Sequence, residues 1–182
     1  MNLPNIITLL RIALVPVFLV FLIQNRYGLA VGVFILAGLT DAIDGAIARM
    51  TGQKTELGAL LDPLADKFLV LTAFAALALT GRLPLWLAGA VIIRDAAIIA
   101  GCFYFYRRGF RDAIRPTPLG KLTTFMLIFL IMTALAGLYM GREFAVTEYL
   151  SRLAAVLLAA SGLQYVIRGF RVIHGKKNNL AG

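Results

Sequence analysis

Residues 41–66 read DAIDGAIARMTGQKTELGALLDPLAD. Asp41 and Asp44 stand three positions apart and Asp62 and Asp66 four, and either spacing places a pair on one face of a helix. Gly45 and Ala48 fall beside the first pair, and Gly58 one turn before the second. On both sides the stretch continues into apolar runs of the length that crosses a bilayer. A charged side chain at the centre of a membrane helix costs about 2.5–3.5 kcal/mol, so four unpaired carboxylates would cost on the order of 10 kcal/mol. Positive charge must therefore sit among them.

Working outward, 60% of the 182 residues are hydrophobic and 15% charged, and the apolar residues come in runs of roughly 20, enough for a ~30 Å hydrocarbon layer. The expected fold is all-α: one polytopic membrane domain over 1–182, with six transmembrane helices and a short N-terminal interfacial helical turn. Arg11 interrupts the first apolar run early, which places the turn ahead of a span over about 6–23 with Pro16 as a kink. The other spans are expected over about 28–49, 57–79, 84–106, 119–140 and 148–168, followed by a basic tail. With no basic segment ahead of it, the first run reads as a retained span and not as a cleaved signal.

The single cysteine, Cys102, excludes an internal disulfide and a Cys-based zinc site, and it reads as small apolar filler. The single histidine, His174, lies in the polar tail, which speaks against a Ser-His-Asp triad or a Cys–His pair. The net charge of +9 fits basic loops at an anionic membrane face better than nucleic acid. Arg49, Lys54, Arg107, Arg108, Arg111, Arg115, Lys121, Arg168, Arg171, Lys176 and Lys177 fall on one side, against Arg26, Arg82 and Arg142 on the other. That bias puts both termini and the loop between the acidic pairs in the cytoplasm.

Clustered aspartates with no histidine or cysteine nearby favour Mg²⁺, Mn²⁺ or Ca²⁺ over zinc or copper. The small residues beside them leave room for a phosphate-bearing ligand, and Arg49 is placed to meet its oxygens. The chemistry this implies is a metal-dependent reaction on a phosphate ester at the cytoplasmic membrane boundary. Two other readings compete. The aspartates could pair with Arg49, Lys67, Arg94 and Lys121 as ties between helices, although single pairs would suffice for that. They could line a transport path, but they gather at one depth, and Arg94 is the one strong candidate midway across.

The pattern Asp41-x2-Asp44-Gly45-x2-Ala48-Arg49-x8-Gly58-x3-Asp62-x3-Asp66 resembles, at every position, the signature of the CDP-alcohol phosphatidyltransferases. The resemblance runs from LPNIITLLR through RDAAII and PTPLGKLTT to the sixth span. It implies transfer of a phosphatidyl group from CDP-diacylglycerol to a glycerol-type alcohol, with release of CMP. It also implies that Asp41, Asp44 and Asp62, with a contribution from Asp66, hold one or two Mg²⁺ or Mn²⁺ ions, and that Asp66 is the base for the acceptor hydroxyl. Gly45, Ala48, Arg49 and Gly58 match positions lining the cytidine diphosphate pocket. Relatives are commonly homodimers, and the site is expected to face the cytoplasm from a bacterial inner membrane.

Two subfamilies fit: one forms cardiolipin from phosphatidylglycerol, the other phosphatidylglycerophosphate from glycerol 3-phosphate. The second typically carries Glu after the first arginine of the fourth span and another Arg eight positions after it; here those positions are Asp95 and Cys102. A phosphomonoester dianion needs more positive charge than a glycerol headgroup, so the balance leans to phosphatidylglycerol. GKLTT is closer in part to the glycerophosphate pattern. Arg94 and Lys121 are the candidate acceptor-binding residues. Arg94 needs an anionic partner, and Asp95, about 100° away around the helix, is expected to be a poor one. A substrate phosphate is expected in its place.

Overall fold

The computed structural model describes the backbone of residues 3–51, 56–107 and 117–179, and side chains within 10–40, 67–101, 103–104, 107 and 117–171. Every described element is a helix: α1 Leu3–Ile23, α2 Tyr27–Thr51, α3 Glu56–Leu79, α4 Leu85–Arg107, α5 Pro118–Met140 and α6 Ala145–Asn179. The all-α expectation holds, and most helix ends lie within two residues of the expected spans.

Two ends differ. Among the described residues no separate interfacial turn stands ahead of the first span: α1 runs unbroken from Leu3 through Arg11 and Pro16. Arg11 is 1% exposed, so it turns into the protein and gives the helix no reason to break at a membrane surface. At the other end α6 continues to Asn179, through the expected basic tail. Arginine and lysine are good helix formers, and their charge suits a helix C-terminus. The side chains of Cys102, His174, Lys176 and Lys177, and the loops around Lys54 and over 108–116, lie outside the described residues.

The described connections are short because each preceding helix ends in the same device. After α1, Arg26 N–H donates to Phe21 C=O and Asn25 N–H to Leu22 C=O, with Asn25 at φ 58°. After α3, Arg82 and Gly81 bond back to Leu77 and Ala78, with Gly81 at φ +75°. After α5, Arg142 and Gly141 bond to Gly137 and Leu138, with Gly141 at φ +63°. In each case a left-handed residue lets two N–H groups satisfy the last free carbonyls of the helix, as in a Schellman cap. Gly137 is needed as well, since a Cβ there would lie 2.8 Å from Arg142 O.

The chain divides into two compact units, Met1–Leu83 with Ile131–Phe144, and Pro84–Leu130 with Ala145–Gly182. In the first, α1 packs on both α2 and α3. Arg11, Val15, Phe18 and Leu22 recur every three or four positions and are all buried, forming one seam along α1. α2, packed on α1, buries Ala30, Phe34 and Ala37, and the Phe18 and Phe34 rings stand 5.9 Å apart and tilted by 51°. Leu69, Ala73, Phe74 and Leu77 supply the buried face of α3.

In the second unit α4 packs on α6, and the polarity is inverted. The buried stripe of α4 is Leu87, Val91, Arg94 and Asp95, and that of α6 is Ser151, Ala154, Leu158 and Ser161. Thr123 of α5, wholly buried, donates to Leu119 C=O at 2.8 Å and lies 3.3 Å from Leu157 C=O of α6. Leu85, Ile92, Phe103, Val156 and Leu163 are exposed. A helix pair with charges inside and large apolar groups outside suits hydrocarbon as its solvent. Pro118–Met140 and Ala145–Arg171 have the length and apolarity to cross a membrane; Leu10–Ile23, Tyr27–Thr40 and Lys67–Leu79 are shorter apolar stretches. By length and apolarity, then, two crossing helices are found among the described residues where six were expected.

Candidate active site

The backbone of α2 is helical through Thr51 and that of α3 from Glu56. Asp41, Asp44, Gly45, Ala48 and Arg49 therefore occupy the second half of one helix, and Gly58, Asp62 and Asp66 the first half of the next. Helical register aligns positions 41 with 44 and 62 with 66. The side chains of all eight residues lie outside the described ones. Among the described residues no group of three or more His, Cys, Asp or Glu comes together.

The site that can be built atom by atom is on α4. Arg94 is 9% exposed, and its Nη1 donates to Asp95 Oδ1 at 2.5 Å. This corrects the expectation that Asp95 is a poor partner. The Cβ directions diverge, but the guanidinium stands on a long flexible stem, and in apolar surroundings a charge takes the nearest counter-charge. The pair leaves the opposite edge of the guanidinium unused: Nε and Nη2 are buried without a hydrogen-bond partner. A buried donor left unsatisfied costs about 1–3 kcal/mol. These two N–H groups form the fork that matches two oxygens of a phosphate or carboxylate.

Tyr165 of α6 lies over the guanidinium, its ring centroid 5.9 Å from Cζ, close enough for a cation–π contact. The Tyr165 hydroxyl accepts a long 3.4 Å contact from Thr117 N–H. Thr117 in turn caps α5, its Oγ1 accepting from Gly120 N–H at 3.0 Å, and Pro118 opens the helix, where a missing N–H does no harm. A Cβ on Gly120 would meet Thr117 Oγ1 at 3.0 Å and the Tyr165 hydroxyl at 3.1 Å. Thr117 and Gly120 of the PTPLGK segment thus form the seat of the Tyr165 hydroxyl. Lys121, in the first turn of α5, is exposed and does not line the cavity beside Arg94.

That cavity is a groove of about 790 Å³ between α4 and α6. Ala90, Ala97 and Gly101 of α4 and Ala155, Ala159 and Gly162 of α6 contribute its small-residue lining, with Arg94 partway along. Sequence reasoning singled out Arg94 but missed Asp95 as its partner, Tyr165 as its cover, and the groove. The spacings Ala97-x3-Gly101 and Ala155-x3-Ala159 carried a signal for the groove, since small residues four apart mark faces where helices or ligands approach closely. Nothing in the sequence marks Tyr165.

Residues 1–164 match the family model of the CDP-alcohol phosphatidyltransferases. The chain is 36% identical over 184 residues to the probable phosphatidylglycerophosphate synthase of Mycobacterium tuberculosis, covering 96% of this chain and 84% of that one. It is 34% identical over 197 residues to the CMP-forming cardiolipin synthase of Rattus norvegicus, covering 96% of this chain and 65% of that protein. It is 31% identical over 179 residues to the CDP-diacylglycerol–glycerol-3-phosphate 3-phosphatidyltransferase of Aquifex aeolicus, covering 95% and 98%. The chain spans about half to two thirds of the length of the mammalian cardiolipin synthases it matches.

Proposed function

Because this chain belongs to the CDP-alcohol phosphatidyltransferase family, we propose that it moves the phosphatidyl group of CDP-diacylglycerol to phosphatidylglycerol, giving cardiolipin and CMP. The observation that carries the activity is the complete signature from Asp41 to Asp66, standing in unbroken helical register on α2 and α3. Four carboxylates and no softer donor fit a hard divalent cation. Asp41, Asp44, Asp62 and Asp66 would hold one or two Mg²⁺ or Mn²⁺ ions, which when bound neutralise charge on the diphosphate. Gly45, Ala48 and Gly58 leave space for the cytidine diphosphate, and Arg49 meets its phosphate oxygens. Asp66 takes the proton of the acceptor hydroxyl. The acceptor oxygen bonds to the phosphorus that carries diacylglycerol, and the bond from that phosphorus to the CMP oxygen breaks. Alignment and charge neutralisation do most of the work in such a transfer.

The setting we propose is six helices crossing a bacterial inner membrane, both termini and the 52–55 loop cytoplasmic, in a homodimer. Support for the spans and their orientation comes from the lysine and arginine bias, from the three short capped connections, and from the buried charges of α4.

Phosphatidylglycerol is favoured by Asp95 and Cys102, which stand where a glycerophosphate enzyme carries Glu and a second Arg. The second reading, glycerol 3-phosphate as acceptor, is favoured by the Aquifex relative, which this chain covers over nearly its whole length. Purified protein given CDP-diacylglycerol with glycerol 3-phosphate, phosphatidylglycerol, inositol or serine in separate reactions decides between them by CMP release. Mg²⁺ or Mn²⁺ should be required and chelator should stop the reaction. CMP formation by metal-free protein would remove the Asp cluster from the mechanism, and ion flux into vesicles without CMP would favour a transporter.

A further inference from the structure

One cation is buried in the unit that carries the Asp signature. Arg11 is 1% exposed, the largest side chain that the described residues bury completely. Arg26, Lys67, Arg82 and Arg142 of the same unit all keep some exposure. A guanidinium in apolar packing is costly without a carboxylate, and Arg11 is not left without an interaction. The acids of that unit are Asp41, Asp44, Glu56, Asp62, Asp66 and Glu143. Glu143 is 88% exposed and pairs with Arg82 at 3.2 Å, beyond the ends of α3 and α5. The counter-charge of Arg11 therefore lies among the acids of α2 and the first turns of α3.

Register chooses among them. α1 and α2 run back to back from the short turn between Ile23 and Tyr27. Counted outward from that turn, their buried residues come level in pairs: Leu22 with Ala30, Phe18 with Phe34, Val15 with Ala37. The 5.9 Å contact of the Phe18 and Phe34 rings anchors the count. One further turn brings Arg11 level with position 41, which continues the stripe of 30, 34 and 37 on α2. On α3 the stripe of Leu69, Ala73 and Leu77 steps back to position 66. Asp41 stands ten residues before Thr51 and Asp66 ten after Glu56, so both lie equally far from the loop that joins their helices. We propose that Arg11 is the built-in counter-charge of the signature. It pairs with Asp41 at the level of Asp66, holds the carboxylates together in the metal-free protein, and opposes a divalent ion when one binds. Arg11 is thus a positioning residue that acts through Asp41. The inference rests on the reading of the signature as metal-holding, and it adds to that reading a residue from a third helix.

Thermal unfolding in detergent, with chelator and with saturating Mn²⁺, tests this together with Mn²⁺ titration. Arg11→Gln should unfold at a lower temperature than the wild type in chelator. Saturating Mn²⁺ should close most of that gap, because the ion supplies the positive charge that the variant has lost. By linkage, Mn²⁺ should bind Arg11→Gln about tenfold or more tightly than the wild type, with no like charge opposing it. Arg11→Lys, which keeps the charge, should bind Mn²⁺ as the wild type does. An equal loss of Tm with and without Mn²⁺ overturns the proposal, and so does an unchanged or weaker Mn²⁺ affinity in Arg11→Gln. A second comparison uses chelator alone. Asp41→Asn should not stabilise the wild type, yet added to Arg11→Gln it should raise Tm, and the double variant should fold even where Arg11→Gln does not. A double variant no more stable than Arg11→Gln overturns the pairing. Wild-type protein that Mn²⁺ does not stabilise would remove the metal reading of the signature, while the comparison in chelator, which needs no metal, would still decide Arg11.

Discussion

Where α1 crosses α2, Phe18 meets Phe34 ring to ring; where α4 faces α6, Arg94 meets Asp95 and Tyr165. Both places are buried, but they do different work. The Phe18 contact lies in a seam whose small neighbours, Ala30 and Ala37 of α2, let the helices close on the rings. The Arg94 contact is incomplete: one nitrogen is paired, two are not, and a groove of about 790 Å³ runs beside it. Apolar packing stabilises by being filled. A half-satisfied cation costs stability, and a fold keeps one where a ligand completes it.

The largest expected effect lies outside both interfaces and calibrates them. Asp66→Asn should lower CMP release by about 10²–10⁴-fold while CDP-diacylglycerol still binds, the range for loss of a general base. Asp41→Asn or Asp44→Asn should weaken metal and nucleotide binding as well, read by Mn²⁺ titration. Near-normal turnover by Asp66→Asn would assign the base elsewhere.

The next test sets the two interfaces against each other. Phe18→Ala should cost about 3–5 kcal/mol of stability through the cavity it leaves, measured by thermal unfolding in detergent. Arg94→Met alone should also lower stability, by breaking the buried pair with Asp95. Arg94→Met combined with Asp95→Leu should recover most of that loss and still fail to use the acceptor. If the double variant stays as unstable as the single one, the pair is structural and the contrast between the interfaces collapses.

A smaller effect comes from the capped connections. Gly81→Ala places a Cβ at φ +75° and should cost about 1–2 kcal/mol, read as a lowered Tm. Gly162→Leu, with open space at its Cβ, should leave Tm unchanged or raised. The smallest effect is expected at Arg82–Glu143, a 3.2 Å pair in which Glu143 is 88% exposed. Glu143→Gln should shift stability by less than about 1 kcal/mol, and less again in high salt.

Sequence alone determined the helical class, most helix ends and the residues of the Asp signature. Those rest on local rules: apolar run length, the helical spacing of carboxylates, and the fixed spacing of eight positions from Asp41 to Asp66. It also singled out Arg94 as a charge that needs an explanation. Tertiary structure alone decided that Arg11 lies inside the protein, so that α1 runs straight on from Leu3, and that Asp95 takes one nitrogen of Arg94. It alone brought Tyr165 against the guanidinium and opened the groove between α4 and α6. The reason is one of distance. A spacing rule sees residues three or four apart on one helix, whereas Arg94 and Tyr165 are brought together by the packing of two helices and by a cap at Thr117 that holds the ring.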